Sequence, residues 1–366
     1  MTLIVCPNLA IDRVLLAARL EPGNLHRLRC LQHQAGGKGA NVARVLKALG
    51  GRGLLVGVAA GSTGRLVGEL AAAEGLDVLL VAADGEARVS NVIIEGDGRV
   101  TEVYEHGPGV DAATVTALLE TVREQAGAGD GWAIVNGHAP PGAGPDFYAR
   151  LVRAVRIAGR RVMVDAAGPQ LGHALAAGPD FVKINALEAC SAVGDPAAAG
   201  GAIGDPAAAG GTLGKAAAAL ETDEAGGPDA PPALLPADHG DCDAVSATLD
   251  DAGRVVRGRE LCRRLVAAGA ARAAVTVGGA GVVALADGLV YHARTEPVDV
   301  VSTVGSGDSF AARLLLGLER GEELGAALAG AAAAASANAA SPLTAHVDPD
   351  DVARLTAGAT VRVEPL

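Results

Sequence analysis

Short runs rich in β-branched residues alternate with amphipathic helical stretches along most of this chain, and that alternation limits the fold more than any other feature. TLIVC, LLVGVAA, DVLLVAA, VSNVIIEG, WAIVNG, VMVDAA, DFVKIN, AAVTVGG and VVALADG read as strands. Between several of them lie helical candidates: NVARVLKALG, RLVGELAAAEG, AATVTALLETVREQAG and FYARLVRAVRIAG. A strand that follows each helix requires a crossover, and crossovers put helices on both faces of a largely parallel sheet. The expectation is an α/β fold, a doubly wound and mostly parallel sheet in a single domain over residues 1–366. Two regions break the rhythm. Leu15–Arg29 and Ala87–Tyr104 read as exposed strand pairs, with turn chemistry at Glu95–Gly98. They predict a small β-sheet lid projecting from the body, built from about 12–30 and 87–105.

A second break is compositional. GDPAAAGG at Gly194 repeats at Gly204, and polar, Pro-rich sequence follows to about Gly253. A ten-residue repeat this rich in Ala and Gly is too short for a solenoid unit and reads as a low-complexity insertion. Residues 194–253 hold 11 acidic residues and Lys215, a net of −10 out of the chain's −12. The remainder, 29 basic against 31 acidic residues, is nearly neutral. His239, Asp241, Cys242 and Asp243 lie close together in this stretch, but nothing fixes their geometry, and a solvated acidic loop is the reading for them.

The acidic balance argues against an electrostatic grip on nucleic acid or an anionic membrane. An aromatic content of 2% leaves few platforms for base stacking. Five widely separated cysteines (Cys6, Cys30, Cys190, Cys242, Cys262) form no CxxC pair, so they read as spectator thiols. MTLIVCPNLAID has no basic lead and reads as a strand rather than a signal peptide, which predicts a cytoplasmic protein. Leu324–Val347 carries no Asp, Glu, Lys or Arg, yet it is mostly Ala and Gly. It predicts a buried helix followed by a turn, not a membrane span.

Two segments carry chemistry. Thr303–Phe310 (TVGSGDSF) runs straight into the helical AARLLLGL. Small residues before a helix let backbone N–H groups converge on an anion, helped by the positive helix end. Asp308 falls in the first turn, where it is either an ordinary capping carboxylate or the acceptor of a proton from an attacking hydroxyl. Ala35–Asn41 (AGGKGAN) also enters a helix, without the spacing of a Walker A loop. Its glycines allow close approach of a polyhydroxylated ligand, and Lys38 can meet a phosphate.

Together the two segments resemble the PfkB/ribokinase family of carbohydrate kinases. GGKGANVARVLKALG is similar to the family's N-terminal signature, and STVGSGDSFAARLLLGL to its C-terminal one. Between and around them, Ile11-Asp12-Arg13 resembles a sugar-hydroxyl clamp and Gly137–Gly142 a G-S-L-P-P-G turn. Lys183–Glu188 resembles K-P-N-x-x-E, Thr276–Gly281 the nucleotide-edge strand and turn, and Asn338 lies in a matching A-N-A. The resemblance implies a ribokinase-like fold and ATP-dependent phosphorylation of a sugar hydroxyl with Mg²⁺. It implies Asp308 as general base and the amides of Gly305, Ser306 and Gly307 as anion hole. Asp12, Gly37, Lys38, Asn41, Arg88 and His138 would hold the acceptor. Lys183, Asn185, Glu188, Thr276, Gly278, Gly281 and Asn338 would serve the nucleotide, with Asn185 and Glu188 placing Mg²⁺ indirectly. Lid strands that pair readily would permit a homodimer.

CPNLAIDR, NVAR and TVGSGDS are most similar to the branch acting on phosphorylated hexoses such as fructose 1-phosphate, fructose 6-phosphate or tagatose 6-phosphate. Lys38 and Arg88 supply phosphate partners, Arg being suited to bidentate contact. Three residues depart from the pattern: His138 for Ser, Ile184 for Pro and Ser302 for Asp or Asn. Kinases for a non-phosphorylated sugar or a nucleoside, and a non-catalytic binding module, are the alternatives. The remaining histidines show no ligand spacing.

Overall fold

The computed structural model describes residues 1–168, 170–192 and 249–366. In chain order the N-terminal part runs β1 (Thr2–Cys6), β2 (Ala10–Ala17), β3 (Arg29–Gly36), α1 (Lys38–Ala48), β4 (Gly53–Ala60), α2 (Gly61–Ala73), β5 (Asp77–Ala83), β6 (Arg88–Glu95) and β7 (Val100–Tyr104). Next come α3 (Ala112–Gly127), β8 (Trp132–Gly137), α4 (Phe147–Ile157), β9 (Arg161–Ala166), α5 (Gln170–Ala176), β10 (Phe181–Asn185) and α6 (Ala186–Ala192). The C-terminal part holds α7 (Asp251–Ala267), β11 (Ala273–Thr276), β12 (Val282–Ala286), β13 (Leu289–Arg294), α8 (Ser306–Glu319), α9 (Leu324–Ala339), α10 (Pro349–Ala357) and β14 (Thr360–Pro365).

The sequence of β1 explains the layering. All five of its residues are buried, and they alternate between two apolar clusters: Leu3 and Val5 join one, Ile4 and Cys6 the other. A strand covered on both faces needs apolar residues at every position, which is why such runs are continuous rather than alternating. α1, α2, α8, α9 and α10 cover one face, and α3, α4, α5 and α7 the other. The ten-stranded sheet has the order β14-β13-β12-β11-β10-β9-β8-β1-β4-β5. It is parallel from β11 through β5, while β11 to β14 pair as antiparallel neighbours. The expected doubly wound, mostly parallel sheet is thus present, with an antiparallel edge made by β13 and β14. Those two strands were not among the runs read from the sequence.

α9 answers the question raised by the uncharged stretch near the C-terminus. Its Ala and Gly residues are buried almost all round, packed along α8. Small side chains let the two helices approach closely, so burial on every side replaces an amphipathic stripe. Among the described residues no helix is long and apolar enough to cross a membrane. Trp132, Tyr148, Phe147, Phe181 and Phe310 are all fully buried, so most of the few aromatics are core rather than surface platforms; Tyr104 is exposed. Cys6, Cys190 and Cys262 are buried and Cys30 is exposed, all as free thiols. Cys242 lies outside the described residues.

A separate four-stranded sheet has the order β3-β2-β6-β7, with β2 and β6 parallel. The reading of Leu15–Arg29 as an exposed strand pair needs correction. The strands are β2 and β3, which pair from Ala10↔Gly36 to Leu16↔Arg29, and residues 18–28 only connect them. β2 begins five residues earlier than expected because Ala10, Ile11 and Val14 are buried against the body rather than exposed. Val14, Val92 and Ile94 form the inner apolar face of this sheet and pack on Val304, just ahead of α8. The repeat and the His239–Asp243 group lie outside the described residues, while Asp251–Gly253, at the margin of the expected insertion, form the first turn of α7.

Candidate active site

The chain turns into α8 at Gly305, which caps the helix in the left-handed conformation (φ 82°). A Cβ there would also come within 2.7 Å of the Ala345 backbone nitrogen, so both the turn and its neighbour favour glycine. Ser306 N already donates to Thr303 O at 3.1 Å, and Ser309 N to Gly305 O at 2.9 Å. Ser306 N is thus engaged, while among the described residues no backbone acceptor takes Gly305 N or Gly307 N, two of the three expected amides, or the Asp308 N that follows them. Asn338, expected at the nucleotide, is fully buried behind this loop. Its Nδ2 donates to Val304 O at 2.9 Å and Ser306 Oγ at 3.0 Å, so it braces the turn from below. Ser302 is buried as well, and its Oγ accepts from Val304 N.

Asp308 projects from that first turn into the body, with 6% exposure. Asn41 Nδ2 donates to its Oδ2 at 2.8 Å, joining the two motifs across 267 residues of sequence. Burial raises the Asp308 carboxyl to about 7. Lys38, Asn41 and Lys183 oppose that rise, and Asp165 adds to it. The cluster beneath is a charge ladder on neighbouring strands. Asp165 at the end of β9 takes Lys38 Nζ on Oδ1 (2.9 Å) and Lys183 Nζ, from β10, on Oδ2 (3.0 Å). Lys38 Nζ reaches Glu188 Oε1 as well, at 3.1 Å. Burial alone would lower the Lys38 ammonium, but Asp165, Glu188 and Asp308 outweigh it and hold its pKa well above the ordinary value. Burial would likewise raise Asp165, yet the two lysines keep it ionised and below the usual carboxylate range. Burial is thus the main reason the Asp308 proton is held tightly: the two ammonium groups that oppose it are themselves engaged by Asp165 and Glu188.

Lys183 is tied to the helix mouth too, since a Cβ on Gly307 would come within 2.9 Å of its Nζ. Asn185 and Glu188 cap α6 reciprocally: Glu188 N donates to Asn185 Oδ1 (2.7 Å) and Asn185 N to Glu188 Oε2 (3.0 Å). This is a capping box in the K-x-N-x-x-E segment. Asn185 Oδ1 and both carboxylate oxygens of Glu188, one of them through Lys38, each already receive a hydrogen bond, so a divalent cation here would be reached through water and phosphate rather than held by a protein cage. Among the described residues no group of three or more His, Cys, Asp or Glu could hold a metal.

A cleft of about 440 Å³ opens on one side of α8. It is lined by Thr276, Gly278 and Gly281 at the β11–β12 turn, by Thr303, Ser306 and Gly307, and by Ala335 and Ser336 of α9. The other side of Asp308 faces the small sheet. Asp12, buried in β2, accepts from Gly37 N at 3.3 Å, and burial raises its carboxyl against the pull of Arg88 and Arg44. Arg88 of β6 donates to Ser90 Oγ at 2.9 Å, and its buried Nε has no partner among the described residues. His138 is exposed where β8 ends, next to Gly137, whose carbonyl accepts from the buried Tyr148 hydroxyl.

The sequence reading missed Asp165, Asn136 and Arg44. Asp165 ends a strand as VMVDAA, which has no spacing relation to either lysine. Asn136 pairs with Asp165 in the β8–β9 register and is wholly buried. Arg44 sits one helical turn beyond Asn41 inside a motif already noticed, so the i, i+3 spacing could have found it.

The family model for pfkB family carbohydrate kinases matches residues 1–219 and 245–351. A 1-phosphofructokinase from Rhodobacter capsulatus is 42% identical over 83 residues, which is 22% of this chain and only 26% of that relative's length. Phosphofructokinase-2 from Escherichia coli in complex with fructose-6-phosphate superposes with a TM-score of 0.71 at 23% identity, covering 97% of each chain. A Thermotoga maritima structure, given as a possible 1-phosphofructokinase, has a TM-score of 0.70 at 19% identity and covers 99% of both chains. Similarity at that level of identity speaks for the fold.

Proposed function

Since the chain belongs to the pfkB family of carbohydrate kinases, we propose that it transfers the γ-phosphoryl group of ATP to a hydroxyl of a hexose phosphate, with Asp308 as general base. The observation that carries this reading is the position of Asp308. It is bonded to Asn41 on the side of the small sheet, and the two residues before it line the cleft on the other. An acceptor held by Asp12, Gly37, Asn41 and Arg88 would present its hydroxyl to Asp308 Oδ1. The hydroxyl oxygen attacks the γ-phosphorus, its proton passes to Asp308, and the bond to the β–γ bridging oxygen breaks with its electron pair leaving on ADP. The Gly307 and Asp308 amides and the Lys183 ammonium neutralise charge on the transferring group, which is what a loose phosphoryl-transfer transition state requires.

Mg²⁺ supplies further neutralisation on the phosphates when bound. The donor set at Asn185 and Glu188 fits an ion held through water, and Glu188 also keeps Lys38 in place. Gly278, Gly281 and Thr276 bound the nucleotide end of the cleft, while Asn338 acts by bracing the anion-binding turn. The β2, β3, β6 and β7 sheet serves as a lid whose apolar face against Val304 excludes water. Its edge strand β7 exposes Val103 and Tyr104, which suits docking of a second copy. Sedimentation of the purified chain tests that pairing.

A phosphorylated acceptor is supported by Arg88, a guanidinium on the acceptor side with an unpaired Nε. The test is a panel of fructose 1-phosphate, fructose 6-phosphate, tagatose 6-phosphate, ribose and adenosine with ATP and Mg²⁺. Turnover confined to one or more hexose phosphates, lost on Arg88→Gln, supports the reading. Turnover on ribose or adenosine alone overturns the acceptor class, and binding without turnover on any of them overturns the kinase.

A further inference from the structure

Arg44 lies on α1 three residues beyond Asn41, with a side chain 13% exposed, and each of its three nitrogens is used. Nη1 donates to Asn41 Oδ1 at 2.9 Å, Nε to Glu74 Oε2 at 2.6 Å, and Nη2 to the Ala35 carbonyl. Glu74, at the C-terminal cap of α2, completes the loop by accepting from Ala35 N on Oε1 at 2.9 Å. The guanidinium and the carboxylate therefore hold both polar groups of one peptide residue in β3, two residues before the Gly37 that meets Asp12.

The consequence falls on Asn41. A primary amide has an accepting end and a donating end, and rotation by half a turn exchanges them. With Arg44 donating to Oδ1, only Nδ2 can face Asp308, where it lies 2.8 Å from Oδ2. The opposite orientation would set the amide oxygen against a carboxylate oxygen and a guanidinium against an NH₂ group. We propose that Arg44 is a positioning residue: it fixes the amide of Asn41, and through it holds Oδ2 of Asp308 so that Oδ1 is left to receive the acceptor's proton. The inference rests on Asp308 being the base. The other charged or titratable groups acting around Asp308 are Lys38 of α1, Asp165 of β9 and Lys183 of β10, with the Cys6 thiol of β1 beneath. Arg44 works on Asp308 by hydrogen-bond geometry, and its charge bears on Asp12 instead.

The test is the pH profile of kcat/KM for Arg44→Met and Arg44→Lys, with Glu74→Gln as a more distant perturbation. Loss of the oriented donor favours the protonated carboxyl, so the acidic limb should move up by about one pH unit in Arg44→Met. Arg44→Lys keeps charge and bulk but cannot grip three partners, and should move the limb in the same direction by less, as should Glu74→Gln. A role confined to stability would lower the active fraction and leave the limb where it was, which would overturn the proposal. If Arg44→Met does not fold, an unmoved limb in both Arg44→Lys and Glu74→Gln overturns it equally. Asp308→Asn run alongside separates the two readings. Retained activity there defeats the base itself, whereas an inactive Asp308→Asn with unmoved limbs in the other variants defeats only the role of Arg44.

Discussion

Asp308 binds a proton more readily in the folded chain than in the unfolded one, because burial raises its carboxyl from the ordinary 3.8 to about 7. Between those two values the folded state carries the extra proton, so this group's contribution to stability falls as pH rises through the window and stays low above it. Asp308→Asn keeps the shape and removes the ionisation. It should therefore melt higher than the parent at pH 8, by up to a few kcal/mol of stability, and differ little from it at pH 4, as thermal unfolding at the two pH values would show. The same variant should lose several orders of magnitude in kcat, since the hydroxyl no longer has a proton acceptor. With Asp308 as the proposed base the ionised form is the active one, so kcat/KM of the parent should fall as pH drops below about 7. A flat profile from pH 5 to 8 would count against Asp308 as base. A residue that stabilises the fold less when it is ready to work is what a catalytic role requires and a capping role does not.

At the scale of elements, the approach of α1 to β1 sets the position of Lys38 and Asn41. A Cβ on Gly39 would come 2.3 Å from Cys6 Cβ, 2.8 Å from Leu55 Cδ1 and 3.3 Å from Asn136 Oδ1. The helix rests on the sheet with no room for a methyl group. Gly39→Ala must push α1 outward, lengthening the Asn41–Asp308 contact and the Lys38–Asp165 pair together. The expected cost is about 1–3 kcal/mol, with a larger fall in kcat than in nucleotide affinity; chemical denaturation and steady-state kinetics would measure both. The strand ends obey the same logic in charge. Asp165→Asn removes the carboxylate that Lys38 and Lys183 share, leaving Lys183 without its ion pair and Lys38 with Glu188, and breaking a buried pair in this way costs about 3–5 kcal/mol. The urea midpoint should drop accordingly.

Taking the molecule as a whole, the two proposed binding regions meet at one helix end. The cleft beside β11, α8 and α9 is lined by no residue of the small sheet, so each can be changed without the other. Ala335, half-buried in α9, lines the cleft, whereas Asp12, Gly37, Asn41 and Arg88 do not. Ala335→Trp should raise KM for ATP at least tenfold and leave KM for the sugar phosphate near its parent value. A matched rise in both would mean that the cleft is not a separate nucleotide site. The net charge of −12 belongs to the same scale. Most of it falls in residues 194–253, so the rest of the chain, which would receive ATP and the proposed sugar phosphate, is close to neutral.

What the sequence determined by itself is what depends on near neighbours along the chain. Alternating strand and helix runs required a two-sided, largely parallel sheet, and the glycine-rich entries to α1 and α8 marked two helix mouths because turn chemistry is local. Asp308, Asn41 and Asn185 with Glu188 were legible for the same reason. The tertiary structure decided the rest. Asp165 meets Lys38 across 127 residues because β9 falls between β8 and β10 in the sheet. Asn338 faces the back of a turn rather than the cleft because α9 packs behind α8. Arg44 reaches β3, α2 and Asn41 at once only after the small sheet has docked. Strand order and register bring such groups together, and neither leaves a mark in the spacing of residues along a single chain.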